Sequence, residues 1–203
     1  MYNNSDLLFV PLGGSGEIGM NANLYHYEGS WLMVDLGISF PDDSMPGIDV
    51  VLPDLSFIEQ RRDQLAGLVL THGHEDHLGA IPYMWSQLGC PVYGSAFTLA
   101  LLRRKLSENG RQEDIPLIEI GPGSVTEIGP FSVEMVGLTH SIPDPTALAI
   151  RCDAGTVLHT GDWKFDAAPG LGETTDTARL AQIGDEGVLA MVGDCLLYTS
   201  DAA

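Results

Sequence analysis

Within "THGHEDHLGA" (71–80), six consecutive positions hold three histidines and two acids: His72, His74, Glu75, Asp76 and His77. Neutral imidazole and carboxylate are ligands for zinc, with manganese suited where oxygen donors dominate. His72 and His74 lie two apart and Asp76 and His77 follow at once. A tight loop can therefore aim the first pair at one cation and the second pair at a neighbouring one. Further donors must come from elsewhere, and His140 in "GLTHSIPD" and Asp162 in "LHTGDWKFD" offer them at expected strand ends. A carboxylate can bridge two cations, whereas a lone imidazole ordinarily cannot.

Elements are needed to present those donors. The apolar run "LAGLVL" (65–70) ends abruptly at the histidine-rich stretch and reads as a buried strand running into a loop. Strands are also expected at "LLFVPL" (7–12), "NLYHY" (23–27), "WLMVDLG" (31–37), "FSVEMVGL" (131–138), "TALAIRC" (146–152), "TVLHT" (156–160) and "GVLAMVG" (187–193). Helical spacing is clearest in "SAFTLALLRRKLSENG" (95–110), with Ser95 as its N-terminal cap and Gly110 closing it. Weaker helical patterns cover 55–64 and 174–184. No internal repeat, heptad pattern or low-complexity linker is present. Strands in succession with a few helices between them predict a layered α/β domain.

With 203 residues, 44% of them hydrophobic, the chain is long enough to bury one sizeable core. No apolar stretch approaches the roughly 20 residues of a membrane span, and no charged segment leads into an apolar signal core. A soluble, cytoplasmic protein without a membrane partner is the expectation. Cys90, Cys152 and Cys195 are odd in number and far apart, which argues against a disulfide framework or a thiolate zinc site. Nine basic residues against 28 acidic ones give a net charge of −19, the opposite of the usual footprint of a nucleic-acid binder. A solvated acidic surface accounts for most of it, and bound divalent cations would reverse the sign locally.

Asp35 in "VDLG", the HxHxDH run from His72 to His77, His140 and Asp162 match, in order, the motifs of the metallo-β-lactamase fold superfamily, which the chain resembles. The resemblance implies an incomplete metallo-β-lactamase-like four-layer αββα sandwich. It implies that His72, His74 and His140 hold a first metal, that Asp76 and His77 hold a second, and that Asp162 bridges them. Asp76, His77 and Asp162 are then the catalytic set, and Asp35 is an acid that orients one of the ligands, since metal-bound imidazoles need an outer partner.

The segments "PLGGSGEIGMNANLY" (11–25), "FPDDSMPGIDVVLPDLSFI" (40–58), "LTHGHEDHLGAIPY" (70–83), "LTHSIPDPTALAI" (138–150) and "TVLHTGDWKFD" (156–166) are together similar to the ribonuclease J family, in the β-CASP group of that superfamily. The similarity spans nearly all of residues 8–194 and implies RNA hydrolysis, with 5′ to 3′ exonuclease and endonuclease activity in RNA processing and decay. It further implies two divalent metals, zinc foremost with manganese or magnesium as alternatives. Roughly 3.5 to 4 Å apart, such metals activate a shared hydroxide and stabilise phosphoryl charge. Residues 1–194 would form the N-terminal part of the metallo-β-lactamase domain. In the family a β-CASP insertion, the return of the first domain with a further histidine for the second metal, and a C-terminal domain come next, so the chain reads as a fragment in which the second metal is expected to be held more weakly. The tail "CLLYTSDAA" (195–203) does not continue the family pattern and resembles translated adapter sequence. The full-length family member is expected to be a homo-oligomer.

Other residues have plainer readings. "GGSGEIG" (13–19) lacks the Walker and Rossmann spacings and reads as a strand turn near the metal loop. His26 reads as structural, and His159 as a packing residue or a support to a ligand. Arg103, Arg104 and Lys105 form the only dense basic cluster, expected on a solvated helix face, while Ser141 and Lys164 flank the donors within reach of a phosphate. Two other functions stay open: a small-molecule hydrolase of the same fold, of thioesterase or lactamase type, and a non-catalytic metal- or RNA-binding module.

Overall fold

In a computed structural model of the chain, residues 3–110 and 115–194 are described, so the tail at 195–203 lies outside the described residues. One sheet is built from β1 (Leu8–Gly13), β2 (Ala22–Tyr27), β3 (Ser30–Val34), β4 (Leu65–Val69), β5 (Val92–Gly94) and β6 (Leu117–Glu119), in that spatial order. β1 to β3 pair antiparallel, and β3 to β6 pair parallel. Parallel neighbours need crossovers. These carry α1 (Ser56–Glu59), then α2 (Glu75–Leu78) with α3 (Ile81–Leu88), then α4 (Ala96–Glu108). A second sheet contains β7 (Val125–Ile128), β8 (Phe131–Gly137), β9 (Thr146–Cys152) and β10 (Gly155–Asp162), all antiparallel neighbours. Helix α5 (Thr177–Glu186) then leads to β11 (Ala190–Asp194), parallel to β10.

Because strand side chains alternate between faces, the two sheets generate three separate cores. Trp31 and Met33 point from β3 towards the helices, into a cluster with Ile58 of α1, Ile81 of α3 and Leu99 of α4. Their neighbours Leu32 and Val34 point the other way and meet Phe131, Val133, Leu148 and Ile150 of the second sheet. From the far face of that sheet Ala147 and Ala149 pack with Ile183 of α5. Three interfaces require four layers, and the order is helix, sheet, sheet, helix. Each large side chain buried in them contributes roughly 1.5–3 kcal/mol of transfer free energy.

Most expected elements are present, with informative differences. β9 spans the expected residues, and Ser95 caps α4 by accepting a hydrogen bond from the Thr98 amide at 3.2 Å. The expected strand at 31–37 stops at Val34 because Asp35 turns into the left-handed region, with φ of 61°. The helix expected over 55–64 is split into α1 and a 3-10 turn at Arg62–Gln64. Where it breaks, the Arg61 guanidinium donates to the Phe57 carbonyl at 2.6 Å.

Strands β3, β4, β8 and β10 all run out at one edge of the sandwich, and Asp35, His72, His140 and Asp162 lie at or just beyond their C-terminal ends. The two sheets are tied there. Thr146, opening β9, donates both its amide and its hydroxyl to the Thr71 carbonyl, each at 3.0 Å.

Candidate metal centre

The loop after β4 is clamped by backbone before any side chain acts. The carbonyls of Glu75, Asp76 and His77 accept hydrogen bonds from the amides of Ile38, Asn21 and Leu36 at 3.0, 3.0 and 2.7 Å. Gly37 permits this approach, since a Cβ there would lie 1.6 Å from the Asp76 carbonyl oxygen. The chain segments on both sides of the β2–β3 pair therefore set the position of the histidine-rich turn.

On that frame all six donors expected from the sequence converge. His72 Nε2 stands 3.0 Å from His74 Nδ1, which stands 3.1 Å from His140 Nε2. Asp162 presents one oxygen to each half of the cluster, Oδ2 at 3.4 Å from His140 Nε2 and Oδ1 at 3.2 Å from His77 Nε2. Asp76 Oδ2 lies 3.5 Å from the same His77 nitrogen. Two groups result, each with donor atoms within 4.8 Å of one another: His72, His74, His140 and Asp162, and Asp76, His77 and Asp162. Asp162 belongs to both.

Asp35 stands behind the cluster. Fully buried, it accepts from the Thr71 amide at 2.8 Å, from the Thr71 hydroxyl at 2.8 Å and from His77 Nδ1 at 2.7 Å. These bonds offset the cost of a non-glycine residue in the left-handed region. They also fix the His77 tautomer, leaving Nε2 to face Asp76 and Asp162.

The electrostatics suit cations. Burial, reinforced by the nearby imidazoles of His77, His74 and His140, drives the His72 pKa far below the ordinary histidine value and keeps the ring neutral. His74 Nδ1 lies about 3 Å from a ring nitrogen of His72 and of His140, a set of imidazole donors that a shared cation can take. Burial pulls the His77 pKa down most, yet Asp35, Asp162 and Asp76 together hold it well above the usual value. Positive charge is thus demanded where a cation would replace the Nε2 proton. Asp162 Oδ1 makes no hydrogen bond of acceptable geometry although buried, despite its 3.2 Å approach to His77. An unsatisfied carboxylate oxygen beside these imidazole donors fits a divalent metal.

Residues weighed less heavily also find places. His159 is buried with Nδ1 2.8 Å from the Tyr25 hydroxyl, and burial lowers its pKa to about 4, so it supports the interior and stands outside the donor groups. His26 is buried against the Trp31 ring. Glycines and Glu17 of the 13–19 segment line a cleft of about 540 Å³ that reaches Asp76 and His77. Lys164 pairs with Asp166 at 3.3 Å, and Ser141 is exposed. Asn21 and Thr71 were not foreseen from the sequence: the Asn21 side-chain nitrogen Nδ2 lies 3.1 Å from His77 Nε2, and Thr71 links Asp35 to the loop. Their only early signal was adjacency to the glycine turn and to the first histidine.

Comparison with known proteins adds a family. A profile described as the metallo-beta-lactamase superfamily matches residues 16–194. A ribonuclease J from Sinorhizobium meliloti is 49% identical over 198 residues, covering 96% of this chain and 35% of that protein. Another, from a Synechocystis species, is 42% identical over 190 residues, covering 93% of this chain and 30% of its own length. The chain thus spans about a third of the length of these relatives. Among solved structures, the metallo-beta-lactamase fold protein YhfI from Bacillus subtilis superposes with a TM-score of 0.54 at 19% identity, over 78% of this chain and 65% of that one.

Proposed function

Because the chain belongs to the metallo-beta-lactamase superfamily, we propose that it is the N-terminal, metal-holding part of a ribonuclease J-like enzyme that hydrolyses RNA phosphodiester bonds. The observation that carries the reading is the shared position of Asp162 between two donor groups. Likeness to proteins named ribonuclease J over 93–96% of the chain supports RNA as the substrate.

In this reading His72, His74 and His140 hold one divalent cation, Asp76 and His77 hold a second, and Asp162 is common to both. Such cations supply Lewis-acid stabilisation of phosphoryl charge and lower the pKa of a water. The protein's own groups do the rest. Asp35 holds the Nδ1 proton of His77 and thereby its Nε2 lone pair in line. Asp76, its pKa lowered by the His77 contacts against an opposing push from burial, stays ionised and can accept a hydrogen bond from the attacking water. Thr71 anchors Asp35, so the constellation is held before substrate arrives. No protein nucleophile is required.

The proposal extends to 5′ to 3′ exonuclease and endonuclease activity, to zinc as the cation with manganese or magnesium as alternatives, to a cytoplasmic location and to a homo-oligomer in the full-length protein. Among the described residues no helix is long and apolar enough to cross a membrane. A second reading, hydrolysis of a small ester or thioester, draws on the cleft of about 540 Å³, a volume typical of small-ligand pockets. Zinc-loaded protein, alone and extended through the remaining length of the relatives, should be incubated with 5′-monophosphorylated single-stranded RNA and with a thioester. RNA cleavage abolished by chelation supports the nuclease; thioester turnover with intact RNA in both forms would replace it with the second reading.

A further inference from the structure

The metal loop contains two adjacent acids, and only Asp76 joins the donor groups. The Glu75 carboxylate pairs instead with the Lys105 ammonium of α4. One turn earlier on that helix, Leu101 covers Gly73, where a Cβ would come within 2.6 Å of the Leu101 Cδ1. Residues four apart share a helix face. A single face of α4 therefore grips the loop at both of its non-ligating positions, Gly73 between His72 and His74, and Glu75 between His74 and Asp76.

We propose that Lys105 is a positioning residue for the metal centre, holding Glu75, and with it the spacing of His74 and Asp76, against α4. The inference rests on the reading of the cluster as a metal centre. Lys105 and Glu75 are 27% and 45% exposed, and pairs this accessible contribute little to global stability. Ligand geometry is far less forgiving, since displacements of about half an ångström already matter at such sites. Loss of the pair should thus leave the fold intact while loosening the loop. Charge alone predicts the reverse: removing an ammonium close to a cation site would tighten cation binding.

That opposition of sign supplies the test. Co²⁺ binding to the full chain is followed by visible absorption, with the thermal midpoint as a control on folding, for the parent, Lys105→Met, Lys105→Arg, Glu75→Gln and the double variant Glu75→Gln/Lys105→Met. Expected is a weakening of about tenfold in Lys105→Met, at the low end for outer partners of ligands. Its midpoint should be unchanged, Lys105→Arg should bind as the parent does, and the double variant should be no weaker than Lys105→Met. Binding in Lys105→Met as tight as in the parent, or tighter, overturns the positioning role and leaves the metal centre standing. A parent that takes up no Co²⁺ removes the metal centre itself, and this inference with it.

Discussion

Each residue of the site answers a separate demand. His74 is the hinge of the first donor group, its Nδ1 lying within 3.1 Å of both His72 and His140. His74→Ala should abolish hydrolysis and reduce zinc retention, read by turnover and by metal content after desalting; full retention of both would exclude the assignment. Asp35 contributes through His77 and through Thr71, so Asp35→Asn should weaken zinc binding by about 10- to 100-fold, measured by competition with a chelating dye. The convergence of the six candidate donors was legible in the sequence because a metal-ligand pattern restricts residue type and spacing so tightly. Asn21 and Thr71 were not, because amides and hydroxyls are common and theirs acquire partners only once β1–β3 and the loop after β4 come together.

Elements were legible where their own pattern decides their state. β9 reads as alternating small and large apolar residues and occupies the expected span, and α4 carries its cap, Ser95, in the residue just before it. By contrast α3 gave no clear helical signal: Pro82 sits in its first turn and Gly89 ends it in the left-handed region, so a short apolar run looks like loop. β5 and β6, three residues each, exist through pairing with their neighbours rather than through any periodicity. Helix α5 is fixed to the second sheet by charge as well as by Ile183. Glu134 of β8, nearly buried, accepts from Arg179 Nε at 2.6 Å and Nη2 at 2.9 Å, and pairs with Arg151 at 2.8 Å. The Arg179 hydrogen bond, helped by Arg151 and opposed by burial, holds the Glu134 carboxyl below the usual glutamate value of 4.5. A lowered folded pKa gives stability that is complete above the unfolded value and disappears as pH falls through the folded one. Glu134→Gln should therefore lower stability at pH 7 by about 1–2 kcal/mol, modest because both arginines reach solvent. The difference from the parent should shrink below pH 4.5, as thermal midpoints across pH would record; a constant difference would rule the pair out.

At the scale of the molecule, strands in succession with helices between them pointed to a layered α/β architecture, and three cores between four layers bear that out. The net charge of −19 was the feature least in keeping with an RNA substrate. The donor cluster gives it a local counterpart, since the carboxylates of Asp35, Asp76 and Asp162 gather where divalent cations would offset them. Zinc should accordingly stabilise the whole fold. At a hundredfold excess over its Kd it adds about 2.7 kcal/mol per site, or on the order of 5–10 °C in the thermal midpoint of a chain this size; a midpoint indifferent to zinc would argue against a folded metal centre. The most direct measurement is elemental analysis of zinc per chain after loading and desalting, in the parent and in Asp162→Ala. Two ions in the parent, falling to one or none without the shared carboxylate, is the predicted result; a single ion unaffected by the loss of Asp162 would contradict the two-metal account.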